Sequence, residues 1–134
     1  MFLAKRRLKS LKSFGGENVF GSFGTGKSAG VAVLFSPSFS GKIVRFLIDS
    51  DGRILSLLID YHSLCLNIVN LYSPNAALDR KIFLSNLHNF FLSQGLLVIG
   101  GDFNCIDNIL DKFNCSVVPS ADKISRHAYV RLFT

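Results

Sequence analysis

Apolar and polar positions alternate along the first half of the chain, then repeat at a longer interval. AGVAVLF, Ala29 to Phe35, is small, β-branched and apolar, and Pro37 closes it. It predicts a buried strand, with NVFGS before it as a shorter one. KIVRFLID (Lys42 to Asp49) and RILSLLID (Arg53 to Asp60) lie either side of Asp51-Gly52. That dipeptide is a strong tight-turn signal, so the two runs predict a hairpin. SLCLNIVNLY (Ser63 to Tyr72) puts Leu64, Leu66, Ile68 and Asn70 on one face and Cys65, Asn67, Val69 and Leu71 on the other. Pro74-Asn75 breaks the alternation. From Leu78 to Phe91 the period lengthens: Leu78, Ile82, Phe83, Leu87, Phe90 and Phe91 recur at helical spacing, with Gly95 as a stop. LLVIGG (Leu96 to Gly101) predicts a strand ending in a glycine pair. ADKISRHAYVRLFT predicts a second helix with Ser120 as its N-cap. Hairpin-ordered strands, then a helix, then a strand, give an α/β (α+β) chain dominated by sheet.

Composition narrows the class. The 134 residues, 49% hydrophobic and 18% charged, suffice for one domain with a core. No run approaches the roughly 18 apolar residues of a membrane span, and the opening MFLAKRRLKSLKSFGG lacks the continuous apolar stretch of a signal peptide. The net charge of +6 is uneven: Lys5, Arg6, Arg7, Lys9 and Lys12 supply five positive charges with no acid among them. Residues 1–14 are therefore set apart as a basic segment from residues 15–134. The favoured reading is a solvated, frayed helix with Phe2, Leu3, Leu8, Leu11 and Phe14 as a loose stripe; the alternative is a nucleic-acid contact. Cys65, Cys105 and Cys115 are odd in number and far apart. They predict reduced thiols in an intracellular compartment, nucleus or cytoplasm, and no zinc site. His62, His88 and His127 are isolated from one another and read as surface or packing residues.

Two stretches carry candidate chemistry. GSFGTGKS, Gly21 to Ser28, fits the phosphate-loop pattern G-x-x-x-x-G-K-[ST]. In that motif backbone N–H groups wrap phosphate, Lys reaches it and a helix must leave the loop. Here AGVAVLF follows, a strand pattern, so the favoured reading is a Gly/Ser/Thr turn between strands and Lys27 binds no nucleotide. The second stretch is divided. Tyr72-Ser73-Pro74-Asn75 follows one strand and Gly101-Asp102-Phe103-Asn104 follows another. Both put polar groups at strand carboxyl ends, where α/β sheets build sites. A carboxylate can orient or deprotonate a water. Amide and phenol donors can steady charge on phosphate oxygens, and Mg²⁺ can neutralise it. Taken singly, each stretch reads better as a turn.

In combination, the order strand, Y-x-P-N, helix, strand, G-D-F-N resembles the endonuclease/exonuclease/phosphatase superfamily, and within it the apurinic-type endonuclease domain of LINE-type (non-long-terminal-repeat) retrotransposons. SFGTGKSAGVAVLFSPSF, LNIVNLYSPN and LLVIGGDFNC carry the resemblance, which runs from about Phe14 to about Asp111. It implies a two-sheet α/β sandwich with helices outside, DNA as substrate, no membrane partner and Mg²⁺ as cofactor. It assigns Tyr72 to the scissile phosphate, Asn75 to a phosphate contact, Asp102 to water activation and Asn104 to partnering Asp102.

The family also has an early Glu that binds the metal and a terminal Asp-His pair. Glu17 and Arg126-His127 do not match them, so no metal-ligand set is assigned here. The expectation is a partial domain lacking its outer catalytic strands and inactive alone, with exposed strand edges inviting aggregation or a complementary segment. A non-catalytic nucleic-acid-binding remnant is the alternative.

Overall fold

The computed structural model describes residues 18–24, 30–92 and 95–105. The basic segment 1–14, most of the GTGKS loop with Lys27, and the expected second helix after Ser120 lie outside the described residues. Contacts divide the chain into two units, Met1–Tyr72 with Phe90–Gly101 and Ser73–Asn89 with Asp102–Thr134.

The first unit holds two sheets. β1 (Val19–Ser22) and β2 (Val31–Leu34) pair antiparallel, Val19 opposite Leu34 and Ser22 opposite Val31. A strand, not a helix, thus follows the Gly-Thr-Gly-Lys-Ser stretch, which ends the nucleotide-loop reading. The larger sheet has the order β3 (Lys42–Ile48), β4 (Ile54–Tyr61), β5 (Leu64–Tyr72), β6 (Leu96–Asp102) among the described residues. The elements are mixed α+β, mostly strand.

The turns follow from their residues. Between β3 and β4, Oδ1 of Asp49 accepts the N–H groups of Arg53 and Ile54, each at 2.7 Å. Gly52 sits at φ 72°, with the backbone of Phe23 and Gly24 where a side chain would stand. Only glycine meets both demands. Between β4 and β5, His62 and Ser63 have φ of 47° and 67°. Two positive values make the two-residue turn whose twist suits a hairpin. The register that results runs from Tyr61 opposite Leu64 to Ile54 opposite Leu71.

Alternation then sorts the faces. Leu55, Leu57 and Ile59 point with Val31 into a core that Phe20, Val33, Phe35, Phe39, Leu66 and Ile68 flank. Asn70 Nδ2 donates to the Ala32 carbonyl at 2.8 Å, tying β5 to β2. The opposite face of the hairpin, with Ile54, Ser56, Asn67, Val69 and Leu71, is buried as well. Ser56 Oγ donates to Asn67 Oδ1 there, at 3.2 Å, which satisfies one end of a buried amide.

β6 runs in the direction of β5, since Gly95 lies against Cys65 and Gly101 against Leu71. The expected strand, Leu96 to Gly101, is found and runs one residue further, to Asp102. Gly100 faces open space, but Gly101 has φ 130° and the Leu71 backbone fills the place of a Cβ. Gly101 lets the strand pass close to β5.

In the second unit, α1 (Ala77–Ser85) begins after Pro74-Asn75, with Asp79 in its first turn, where a carboxylate complements the helix dipole. The helix expected to reach Phe91 is also corrected. It ends at Asn86, whose Nδ2 donates back to the Ile82 carbonyl at 3.0 Å; a 3₁₀ turn, Leu87–Phe90, follows. The Asn86 backbone N–H reaches the Ile82 and Phe83 carbonyls, each at 3.2 Å, so main chain and side chain of Asn86 share the Ile82 acceptor at the helix end. Leu84 and Leu87 are buried, whereas Leu78 and Ile82 of the expected stripe are exposed.

Candidate functional site

The sequence nominated Tyr72, Asn75, Asp102 and Asn104. Each is positioned by a strand end or by the turn that leaves it.

Asp102 is the last residue of β6, and the chain turns at once. Asn104 adopts φ 50° and donates its backbone N–H to Asp102 Oδ1 at 2.9 Å. This is the local side-chain-to-backbone bond that Asp makes two residues ahead, and Asn tolerates the left-handed backbone it needs. Asn104 Nδ2 donates to the Ser73 carbonyl at 2.6 Å, and the Ser73 N–H donates to the Asp102 carbonyl at 2.8 Å. Asp102, Asn104 and Ser73 are therefore locked together by three bonds. Asp102 is exposed, and Oδ2 makes no hydrogen bond among the described residues. One carboxylate oxygen thus fixes the turn, on a residue that is exposed. Ser73 is fully buried, and its Oγ has no hydrogen-bond partner among the described residues.

Asn75 lies on the segment between Ser73 and α1 and is exposed. Its position is set by Arg80, on the first turn of α1. Nη1 of Arg80 donates to the Asn75 carbonyl at 2.6 Å and to the Pro74 carbonyl at 3.4 Å. Arg80 is 3% exposed, and a buried guanidinium is tolerated only with such acceptors. It clamps Pro74-Asn75 and leaves the Asn75 amide in solvent. The burial of Arg80 leaves no mark in the periodicity of the sequence.

Tyr72 closes β5 in the first unit and is half-buried. Its N–H donates to the Arg53 carbonyl at 2.8 Å, and Nη1 of Arg53 donates to the Tyr72 carbonyl at 3.2 Å. The guanidinium carbon stands 5.3 Å from the centre of the Tyr72 ring, within cation–π range. Sequence reasoning missed Arg53. A signal existed: counting back from a two-residue turn at His62-Ser63 sets Arg53 opposite Tyr72.

The site residues thus fall into two sets. The structure brings Asp102 and Asn104 together with Ser73, and holds Asn75 on the adjoining segment. Tyr72 is paired with Arg53. Among the described residues no group of three His, Cys, Asp or Glu side chains is gathered as a metal ion would require, and no helix is long and apolar enough to cross a membrane.

No family model matches the chain. The chain is similar to the Transposon TX1 uncharacterized 149 kDa protein of Xenopus laevis, 34% identical over 89 residues. The match covers 64% of this chain and 7% of that protein, so the chain spans a small part of the relative's length.

Proposed function

We propose that these residues belong to a retrotransposon-encoded endonuclease domain of the endonuclease/exonuclease/phosphatase kind, acting on DNA phosphodiester bonds. The observation that supports it most is the Asp102–Asn104 turn tied to Ser73. It holds an exposed carboxylate and an exposed segment carrying the Asn75 amide within one unit. The transposon relative supports the origin.

In this reading Asp102 orients and deprotonates the attacking water through Oδ2, the oxygen not bonded to Asn104. Asn104 keeps that carboxylate in place through its N–H and its bond to Ser73, acting as a positioning residue. Asn75 donates to a phosphate oxygen as negative charge develops, and Tyr72 is proposed, separately, as a phosphate contact at its own strand end. Mg²⁺ would usually need one or two carboxylates besides phosphate oxygens. Asp102 is a single carboxylate with one oxygen engaged, so the described residues do not by themselves fit the ion, and no step is routed through it. The 134 residues are thus proposed to handle DNA without turning it over alone. Residues 15–134 are proposed as the partial domain; residues 1–14 are proposed as an accessory basic segment.

A plasmid-nicking assay in Mg²⁺ tests the reading. The chain alone is expected to leave supercoiled plasmid intact. Joined to flanking sequence that supplies a metal-binding Glu and an Asp-His pair, it is expected to nick. Asp102→Ala should then lower the rate by about 10²-fold or more, the scale of a general base. A nicking polypeptide indifferent to Asp102→Ala contradicts the assignment.

A further inference from the structure

We propose that Arg53 is a phosphate-contacting residue, holding a backbone phosphate of DNA beside the Tyr72 ring. The proposal rests on the DNA-handling reading above and adds a residue that the strand-end motifs do not contain.

Arg53 is unusually constrained for a residue beside a turn. Its backbone N–H is held by Asp49 Oδ1 at 2.7 Å and its carbonyl by the Tyr72 N–H at 2.8 Å. Its side chain is held twice, by the Tyr72 carbonyl and by the ring. Asp49, an acid of the same turn, spends Oδ1 on the N–H groups of Arg53 and Ile54. Arg53 makes no ion pair among the described residues. A half-buried guanidinium, preorganised on an aromatic face, therefore keeps Nε and Nη2 unused among the described residues. An arginine in this state matches an oxyanion with two acceptors, and a phosphodiester presents such a pair.

Geometry selects the residue and the side of the sheet. Ile54 pairs with Leu71, so Arg53 and Tyr72 follow as the next cross-strand pair. Their side chains share one face at the end of β4 and β5 where β5 terminates. Any phosphate that the Tyr72 phenol reaches in the proposed reading lies at this strand end. A guanidinium packed on the ring is suited to share that anion, and a planar fork does so more specifically than an ammonium.

The test is binding of the 134-residue chain to a short fluorescein-labelled DNA duplex across a salt series, read by anisotropy. The slope of log affinity against log salt falls by about 0.9 for each phosphate that the protein no longer neutralises. Arg53→Gln is expected to weaken binding several-fold at low salt and to reduce the slope by about that amount. Arg53→Lys should retain the slope while recovering part of the affinity. Thermal melts of each variant separate an effect on folding from an effect on DNA. Affinity and slope unchanged in Arg53→Gln would overturn the proposal while leaving the DNA-handling reading intact. So would weaker binding at constant slope, which marks a structural role. If the unmodified chain fails to bind the duplex, the DNA-handling reading itself fails, and this proposal with it.

Discussion

Strands β4 and β6 have similar apolar content and opposite surroundings. β4 reads ILSLLIDY, and Leu57 and Ile59 are wholly buried. β6 reads LLVIGGD, and Leu96 and Val98 are 63% and 46% exposed, with Leu97 on the other face at 39%. A continuous apolar run beside a strand of the same direction is the pattern of a strand buried on both faces. β6 carries that pattern, yet Leu96, Leu97 and Val98 are exposed and Ile99 is only half-buried. Burial is decided by neighbours: β4 has β3 and β5 beside it and the β1–β2 pair across its core face, while β6 is an outer strand among the described residues. At β3, the other outer strand, Phe46 and Ile48 share the face of Leu57 and Leu55 yet are exposed. The two-stranded sheet is too narrow to reach them.

The contrast is sharpest in a pair of truncations. Leu57→Ala in β4 should cost about 2–5 kcal/mol, as a fully buried leucine leaves a cavity. The same change at Leu96 should stay within about 0.5 kcal/mol. Urea unfolding of both variants checks the pair, and equal losses would break the distinction. Second in size is Gly101→Ala. The required φ and the Leu71 backbone oppose any side chain, so a loss of about 1–3 kcal/mol is expected. Gly100→Ala, facing open space, should lose much less. Third, Asn104→Ala removes the bond to the Ser73 carbonyl and should cost about 1 kcal/mol. The smallest effect on stability is expected for Leu97→Lys, within about 0.5 kcal/mol. It should nonetheless reduce self-association in sedimentation velocity, because charge on a bare edge strand opposes pairing.

The same contrast marks what was legible in the sequence. The strands and the Asp51-Gly52 turn were readable because alternation and turn chemistry are local. The faces of β5 were predicted as found. Helix α1 was overrun because Leu87 and Phe90, three apart, suit a 3₁₀ turn as well as a helix. Strand β6 was legible through Gly101, but the reason for that glycine, the passage of Leu71, is not local. Asp102, Asn104, Asn75 and Tyr72 were nominated from motifs. The bonds that tie the first two to Ser73 could not be read from spacing. Arg53 and Arg80 escaped because their partners are fixed by register and by burial.

Amide and side-chain NMR of the isotopically labelled chain during titration with a DNA duplex tests the central claim most directly. The account predicts that shifts concentrate at Ser73, the Asn75 side-chain amide and the Asp102–Asn104 turn, the strand ends from which phosphate chemistry is proposed. Saturable binding that leaves those signals unmoved, with shifts confined to the opposite end of the hairpin at His62-Ser63, would contradict it.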